Sequence, residues 1–425
     1  MSHRPLDVAA VRQRFPALHS PAAGGPTPVF FDGPAGSQVP ASVAAAVADY
    51  LLHHNANHGG AFATSVWTDA MTARARTALV DFFGVRDGDP EEIVFGPNMT
   101  TLTFQLARAL ARTWRPGDEV VVTDSDHDAN VMPWLLAARD AGCELRRIPV
   151  RADTTLDHDA AARAIGPRTR LVAFGAASNL SGTIHDVAAL HALSKSASGG
   201  RAVTFVDAVH YAAHRRLDLA AWGADFAICS AYKFFGPHAG ILRGRRALLE
   251  ELAADKVRPA ADTGAEKWQT GTASFEAIAG TLAAVEYLAD LGREHADPNA
   301  PPVDRRDTLD IAFAVIAEHE QDLCARLLRG LGAIPDLRIV GIADPGQVAR
   351  RCATVSFTHP RRPPAEIATA LAERQVHCWA GNSYALALST ALGLEPDGAL
   401  RLGLLHYATA EEVDRTIAIV RELLT

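Results

Sequence analysis

The chain has 425 residues, 48% of them hydrophobic and 21% charged, with a formal net charge of −8. That balance suits a globular protein of about two domains and excludes disorder, collagen-like sequence and coiled coil as the main architecture. No apolar run reaches the ~18 residues of a membrane span, and no basic block tracks phosphates, so neither a membrane nor nucleic acid is an expected partner.

At the start of the chain, MSHRPLDVAAVRQRF lacks the apolar stretch of a secretory signal, which makes the cytoplasm the expected location. The cluster His53, His54 and His58 has one i,i+4 pair, but there is no HExxH pattern and no nearby cysteine pair, so no metal is expected. From residue 91 onward, short β-branched runs alternate with helical patterns. EEIVF precedes TLTFQLARALARTW, EVVVTD precedes NVMPWLLAARDAG, and RLVAFGA precedes DVAALHALSKSA; AVTFVDA, DFAICSA and GILRG follow. This alternation predicts βα units on a mostly parallel sheet covered by helices, and the uninterrupted apolar runs predict strands buried on both faces.

A proline-rich, charged stretch at 295–306 reads as a linker. Beyond it, LRIVG, CATVSF, VHCWA and ALRLGLL alternate with PPAEIATALAER, YALALSTALG and AEEVDRTIAIVREL, predicting a smaller α/β domain. The expected organisation is an N-terminal segment (1–30) packed with the small domain, a large domain (31–294), the linker, and a small C-terminal domain (307–425). Five cysteines, Cys143, Cys229, Cys324, Cys352 and Cys378, are an odd, irregularly spaced set and read as reduced, mostly buried thiols.

In open α/β sheets, ligands sit beyond the carboxyl ends of the strands. Here the strand runs are followed by GPNMTT, SDHDAN, ASNLSGT, DAVH and SAYKFFGPH, which bring amide N–H groups, hydroxyls, imidazole, amide, carboxylate and lysine to one rim. Pyridoxal phosphate needs that combination: a lysine for a Schiff base, a carboxylate for the ring nitrogen and a helix N-terminus for the phosphate. Lys233 is the lysine candidate, and Asp207, at the end of its own strand, is the carboxylate.

These segments together resemble the class V aminotransferase superfamily, close to the cysteine desulfurases. The likeness runs through FFDGPAGSQVP, IVFGPNMTTLTF, DSDHDANVMPW, SNLSGTIHDV, FVDAVHYAAH, CSAYKFFGPHAG and RLGLLHYATAEEVD. The resemblance implies fold type I, a mostly parallel sheet of seven-stranded type with a smaller α/β domain. It implies that Lys233 holds the internal aldimine, Asp207 pairs with the pyridinium nitrogen and His127 stacks on the ring. Thr100, the Met99 backbone and Ser230 would cradle the phosphate, with Tyr232 standing where relatives carry a histidine; Asn179 and His210 would lie near the phenolic oxygen. Thr272 would reach the phosphate of a neighbouring subunit, implying a homodimer with shared sites. Arg401 would bind the substrate carboxylate, for which a planar fork is suited. Phe62, Trp67, Tyr384 and the NANHGG segment, with His58, would form the substrate wall.

One departure bears on function. Where desulfurases carry a nucleophilic cysteine on a mobile loop, this chain reads WAGNSYALAL and offers Tyr384; Cys378 lies six residues upstream. The expectation is a lyase that takes an α-amino acid, foremost a cysteine S-conjugate, moves its α-proton with Lys233 and expels sulfur by β-elimination, with Tyr384 assisting. Epimerisation, transamination, decarboxylation-linked oxidative deamination, desulfuration and a non-catalytic binding role are the competing outcomes. A nicotinamide dehydrogenase falls well behind, because no G-x-G-x-x-G turn follows the first strand.

Overall fold

The computed structural model describes residues 3–20, 27–299, 301 and 304–425. Parts of the expected N-terminal segment (1–2 and 21–26) and of the expected linker (300, 302 and 303) lie outside the described residues.

Thirteen strands are named here in chain order among the described residues: β1 Val29–Phe30, β2 Ile93–Gly96, β3 Glu119–Thr123, β4 Glu144–Ile148, β5 Thr169–Gly175, β6 Val203–Asp207, β7 Phe226–Ser230, β8 Gly240–Gly244, β9 Arg338–Val340, β10 Thr354–Thr358, β11 Val376–His377, β12 Trp379–Gly381 and β13 Ala399–Gly403. Seven form one sheet in the order β2-β8-β7-β6-β5-β3-β4. β3 to β7 pair in parallel, and β8 runs antiparallel to both neighbours. β2 therefore points the same way as the parallel strands, so its following loop reaches the same rim. β4 was not expected, because ELRRI carries three charges; it is an edge strand with exposed positions, where apolar alternation is not required.

The sheet is covered on both faces. One face packs against the helices Ala63–Phe82 and Phe275–His295, the other against Met99–Ala111 and Met132–Ala141 around Trp134 and Trp268. A four-stranded antiparallel sheet, β12-β13-β10-β9, packs against the helix Ala410–Leu424. The single run expected over VHCWA is two strands in different sheets: β11 pairs in parallel with β1, and β12 pairs with β13. The long helix Arg305–Gly332 serves both units, with Leu309, Phe313 and Ile316 in the large core and Leu323, Leu327 and Leu331 in the small one.

The first residues do not pack on the small unit alone. Phe15 sits edge-on to Phe235 and Tyr287 of the large core, and Asp7 N–H donates to His295 Nε2 at 3.0 Å, whereas only Val29 and Phe30 join β11.

Candidate active site

Every parallel strand of the large sheet ends on one rim, and the loops that leave it enclose a cavity of about 430 Å³. After β2, Asn98 caps the helix Met99–Ala111 by accepting from Thr101 N–H at 2.8 Å. Met99 N–H donates to Ser230 Oγ at the end of β7 (3.1 Å), tying the helix start to the lysine loop. β8 passes so close beneath that a Cβ on Gly240 would lie 2.4 Å from the Asn98 carbonyl carbon, so only glycine lets the helix start sit there. After β3 comes His127, whose Nδ1 accepts from Ala129 N–H at 3.0 Å. After β5 comes Asn179, after β6 His210, and after β7 Tyr232 and Lys233.

Lys233 Nζ donates to the Pro34 carbonyl and lies 4.7 Å from the Tyr232 ring centroid. Burial, reinforced by the Arg401 charge, lowers its pKa to about 7, so a large fraction of the amine is unprotonated and nucleophilic at neutral pH. Asp207 accepts from Val209 N–H at 2.8 Å, and burial raises its carboxyl to about 6 despite that bond and the Lys233 charge. Burial, with the Lys233 and Arg401 charges, lowers His127 to about 4 and keeps it a neutral, flat ring at pH 7. Arg401 on β13 donates through Nη1 to the Asn179 carbonyl at 2.9 Å; burial lowers it to about 10, with Asp32 opposing.

The mouth is made by the segment that follows β11. Its backbone turns through positive φ at Gly381, Ser383 and Tyr384 and is held by Asn179 Nδ2 donating to the Ser383 carbonyl (2.8 Å) and Asp128 N–H donating to the Tyr384 carbonyl (2.7 Å). Left-handed φ at two adjacent non-glycine residues is strained and costs of order 1–3 kcal/mol each, so these anchors hold the turn. The Tyr384 ring is 73% exposed and stacks on His127 with centroids 5.4 Å apart.

The structure therefore brings Met99, Thr100, His127, Asn179, His210, Asp207, Ser230, Tyr232, Lys233, Tyr384 and Arg401 to one cavity. It does not bring Thr272 or His58 there. Thr272 lines a separate crevice with His238 and Ser274, and His58 stands 3.9 Å from Glu266 and beside Phe275. Of the expected wall, Phe62 and Trp67 also lie outside this cavity within the chain. Cys378 is packed with the small core and its thiol is pushed up to about 12 by burial.

Sequence reasoning missed Asp126, a buried carboxyl on the cavity wall that accepts from Thr123 Oγ1 (2.5 Å) and Asn130 Nδ2 (3.0 Å); burial lifts it to about 7. Its place immediately before His127 in SDHDAN was the available signal. The Pro34 carbonyl opposite Lys233 had no signal, because a backbone oxygen leaves none in composition.

The cavity fits a flat, anionic heteroaromatic group. Asn179 Oδ1, His210 Nε2 and Arg401 Nε are buried without hydrogen-bond partners among the described residues, a set of unmet polar capacity that water-excluding walls do not normally tolerate. A helix N-terminus of 13 residues and the Ser230 hydroxyl stand at one end, and a carboxyl and a perturbed lysine at the other. These are the groups that pyridoxal phosphate requires.

Comparison with known proteins supplies the rest. The family model described as "Aminotransferase class-V" matches residues 29–300 and 307–416. The "Aminotransferase-like protein FGM3" of Gibberella zeae is 30% identical over 435 residues, covering all of both chains. A "Probable cysteine desulfurase" of Halobacterium salinarum is 32% identical over 433 residues, covering 98% of this chain and 97% of its own. The crystal structure of the cysteine desulfurase CsdA from Escherichia coli superposes with a TM-score of 0.81 at 26% identity, covering 99% of each chain.

Proposed function

The chain belongs to the class V aminotransferase family and is a pyridoxal-phosphate enzyme, and from that premise we propose that it cleaves the carbon–sulfur bond of a cysteine S-conjugate by β-elimination. The observation that carries this reading is the absence of a thiol among the described residues that line the cavity: the mouth offers Tyr384, and the nearest cysteine in sequence, Cys378, is half-buried against the small core.

The chain's own groups divide the work. Lys233 would hold the cofactor, Asp207 would pair with its ring nitrogen, His127 would cover its face, and Met99, Thr100, Ser230 and Tyr232 would surround its phosphate, with Asn179 and His210 at its ring oxygen. When bound, the cofactor supplies an electron sink for negative charge at the substrate α-carbon. Arg401 takes the substrate carboxylate bidentately. The Lys233 amine, neutral in a large fraction because burial depresses its pKa, accepts the α-proton. The Tyr384 phenol donates a hydrogen bond or a proton to the departing sulfur, which leaves as a thiol. The residual three-carbon enamine takes up water and yields pyruvate and ammonia.

Two further readings rest on surfaces. Leu51, Leu52, Phe62 and Val66 are exposed apolar side chains of one region, which also carries His58. A second copy covering this region would account for their exposure and for Thr272 lying off its own cavity; the proposed assembly is a homodimer with Thr272 delivered to the facing site. All five cysteines are unpaired, which suits a reducing cytoplasm; among the described residues no helix is long and apolar enough to cross a membrane.

The test is incubation of the purified protein with a panel of amino acids and cysteine S-conjugates, with products followed by mass. Pyruvate, ammonia and free thiol from an S-conjugate are expected. A persulfide on Cys378 after feeding cysteine, or an inverted or transaminated product in place of cleavage, would overturn the assignment.

A further inference from the structure

The small sheet presents one aromatic side chain in register with the cavity. β12 pairs antiparallel with β13, so that Trp379 stands directly opposite Arg401 and Ala380 opposite Leu400. Side chains alternate along a strand, and residues directly opposite each other in an antiparallel pair share a face with Cβ atoms about 5 Å apart. Leu400 and Leu402 are buried in the small core, and Ala380 packs against it. Trp379 and Arg401 therefore occupy the other face, and both line the cavity. The indole stands beside the guanidinium that takes the substrate carboxylate in the proposed function.

Asn179 ties this pair to the turn that follows. Its carbonyl accepts from Arg401 Nη1 at 2.9 Å, and its Nδ2 donates to the Ser383 carbonyl at 2.8 Å. Tyr384 N–H donates to Asn382 Oδ1 at 3.1 Å, and the Tyr384 ring stacks on His127. The carboxylate anchor and two aromatic rings are thus held in one frame. Between the two rings in the chain, a Cβ built on Gly381 would meet nothing within 4 Å. Space remains open there.

Charge is confined to the depth of the cavity. Among the described residues that line it, the charged side chains are Asp126, Asp207 and Arg401, all buried, and Lys233, whose Nζ donates to the Pro34 carbonyl. Residues 379–384 read WAGNSY and supply no carboxylate, ammonium or guanidinium. Trp379, Tyr384 and the adjoining Leu386 are all exposed. An apolar group laid against these rings removes their surface from water, whereas a charged group there loses hydration and finds no partner on the segment.

We propose that Trp379 is a specificity-determining residue which, with the Tyr384 ring, selects amino acids whose side chain ends in a bulky, uncharged apolar group such as an aryl ring. The inference rests on the proposed function for the place of the substrate carboxylate at Arg401, and for a cysteine S-conjugate it names the class of the sulfur substituent. Tyr384 then has two separable tasks: its ring belongs to the subsite, and its phenol to the leaving group.

The experiment measures binding by calorimetry on the purified holoenzyme, with three amino acids that carry no sulfur and offer no leaving group. Phenylpropylglycine, norvaline and α-aminoadipate match the benzyl, methyl and carboxymethyl conjugates of cysteine, with a methylene in place of the sulfur. Phenylpropylglycine should bind about tenfold more tightly than norvaline, the scale of one good aromatic contact, and α-aminoadipate no more tightly than norvaline. Trp379→Ala should bring the ratio of the first two close to one. Trp379→Phe and Tyr384→Phe, which keep a ring, should preserve most of it. Trp379 is an exposed residue of an edge strand, so its removal leaves the core intact. Equal affinities in the wild type, tighter binding of α-aminoadipate, or a ratio that survives Trp379→Ala would each overturn the proposal; a merely structural role would weaken all three ligands alike and leave the ratio unmoved. Cleavage is scored separately. A benzyl conjugate that binds tightly yet releases no thiol would sink the carbon–sulfur reading and leave the subsite standing, whereas cleavage of the benzyl and methyl conjugates with equal kcat/KM would do the reverse.

Discussion

The cavity has two unlike walls. The wall on the large sheet is made of strand-end residues that are buried and electrostatically shifted: Lys233 lowered to about 7, Asp207 raised to about 6 and His127 lowered to about 4, each by burial first. The wall made by residues 379–384 is open, with Trp379 53% and Tyr384 73% exposed on a turn held by backbone contacts. Side chains seated at the ends of hydrogen-bonded strands need no reorganisation when a charged group arrives, and desolvation makes their charges count. A turn at the mouth can change its residues without disturbing the sheet. In the proposed function, the cofactor chemistry belongs to the first wall and the fate of the substrate side chain to the second.

That division can be broken by substitution, and the largest effect is expected deep in the first wall. Lys233→Ala should abolish turnover, since proton transfer by a placed base alone is worth on the order of 10²–10⁴-fold. Borohydride reduction should place the cofactor on Lys233 in peptide maps of the native protein, and a tag on another lysine would end the assignment. Asp207→Ala should retain cofactor, because the phosphate end is intact, yet lose on the order of 10²-fold in kcat, the size of one removed electrostatic partner. Near-normal turnover would take Asp207 out of that role.

Loading of the apoprotein sharpens the same point through pH. The Lys233 amine is held down to about 7, so it is protonated below that value and free above it. The rate of cofactor attachment should fall by about tenfold for each pH unit below 7 and flatten above it. A rate that continued to rise steadily to pH 10 would mean that the amine titrates as an ordinary lysine.

Smaller effects are expected at the second wall. Tyr384→Phe should slow cleavage to the thiol by about tenfold or less while leaving the visible band unchanged, because a phenol at that position assists a leaving group and holds no cofactor. Cys378→Ala should have no effect on turnover. If it cost more than Tyr384→Phe, the half-buried thiol would have to reach the substrate and desulfuration would become the better reading. Asp126 tests the boundary between chemistry and support: Asp126→Ala leaves Asn130 Nδ2 and Thr123 Oγ1 without their partner and should cost about 1–3 kcal/mol of stability in denaturant melts.

Much of this architecture was legible from residue order. The β-branched runs predicted β2, β3, β5, β6, β7 and β8 because a strand buried on both faces must be apolar throughout, and the polar residues just after each run had to fall on one rim once the strands were parallel. Lys233 and Asp207 were named for that reason, and the family resemblance then singled out His127, Asn179 and the helix start at Met99, each local to its own strand end. β4 was not legible, since an edge strand carries no apolar signature.

What the sequence by itself determined, then, is the set of groups delivered by each strand to the rim, because strand period and loop position are properties of a few neighbouring residues. Tertiary structure alone decided which distant groups join them. Arg401 meets the Asn179 carbonyl across 222 residues and Glu320 meets His214 across 106, contacts that exist only because the small sheet and the long helix fold back over the large one. The same reversal sets Cys378 against the small core and leaves Tyr384 at the mouth, and it sets Thr272 and His58 outside the cavity of their own chain. Side-chain direction along a two-residue strand and the meeting of remote segments depend on the packing of whole layers, which no local pattern of residues encodes.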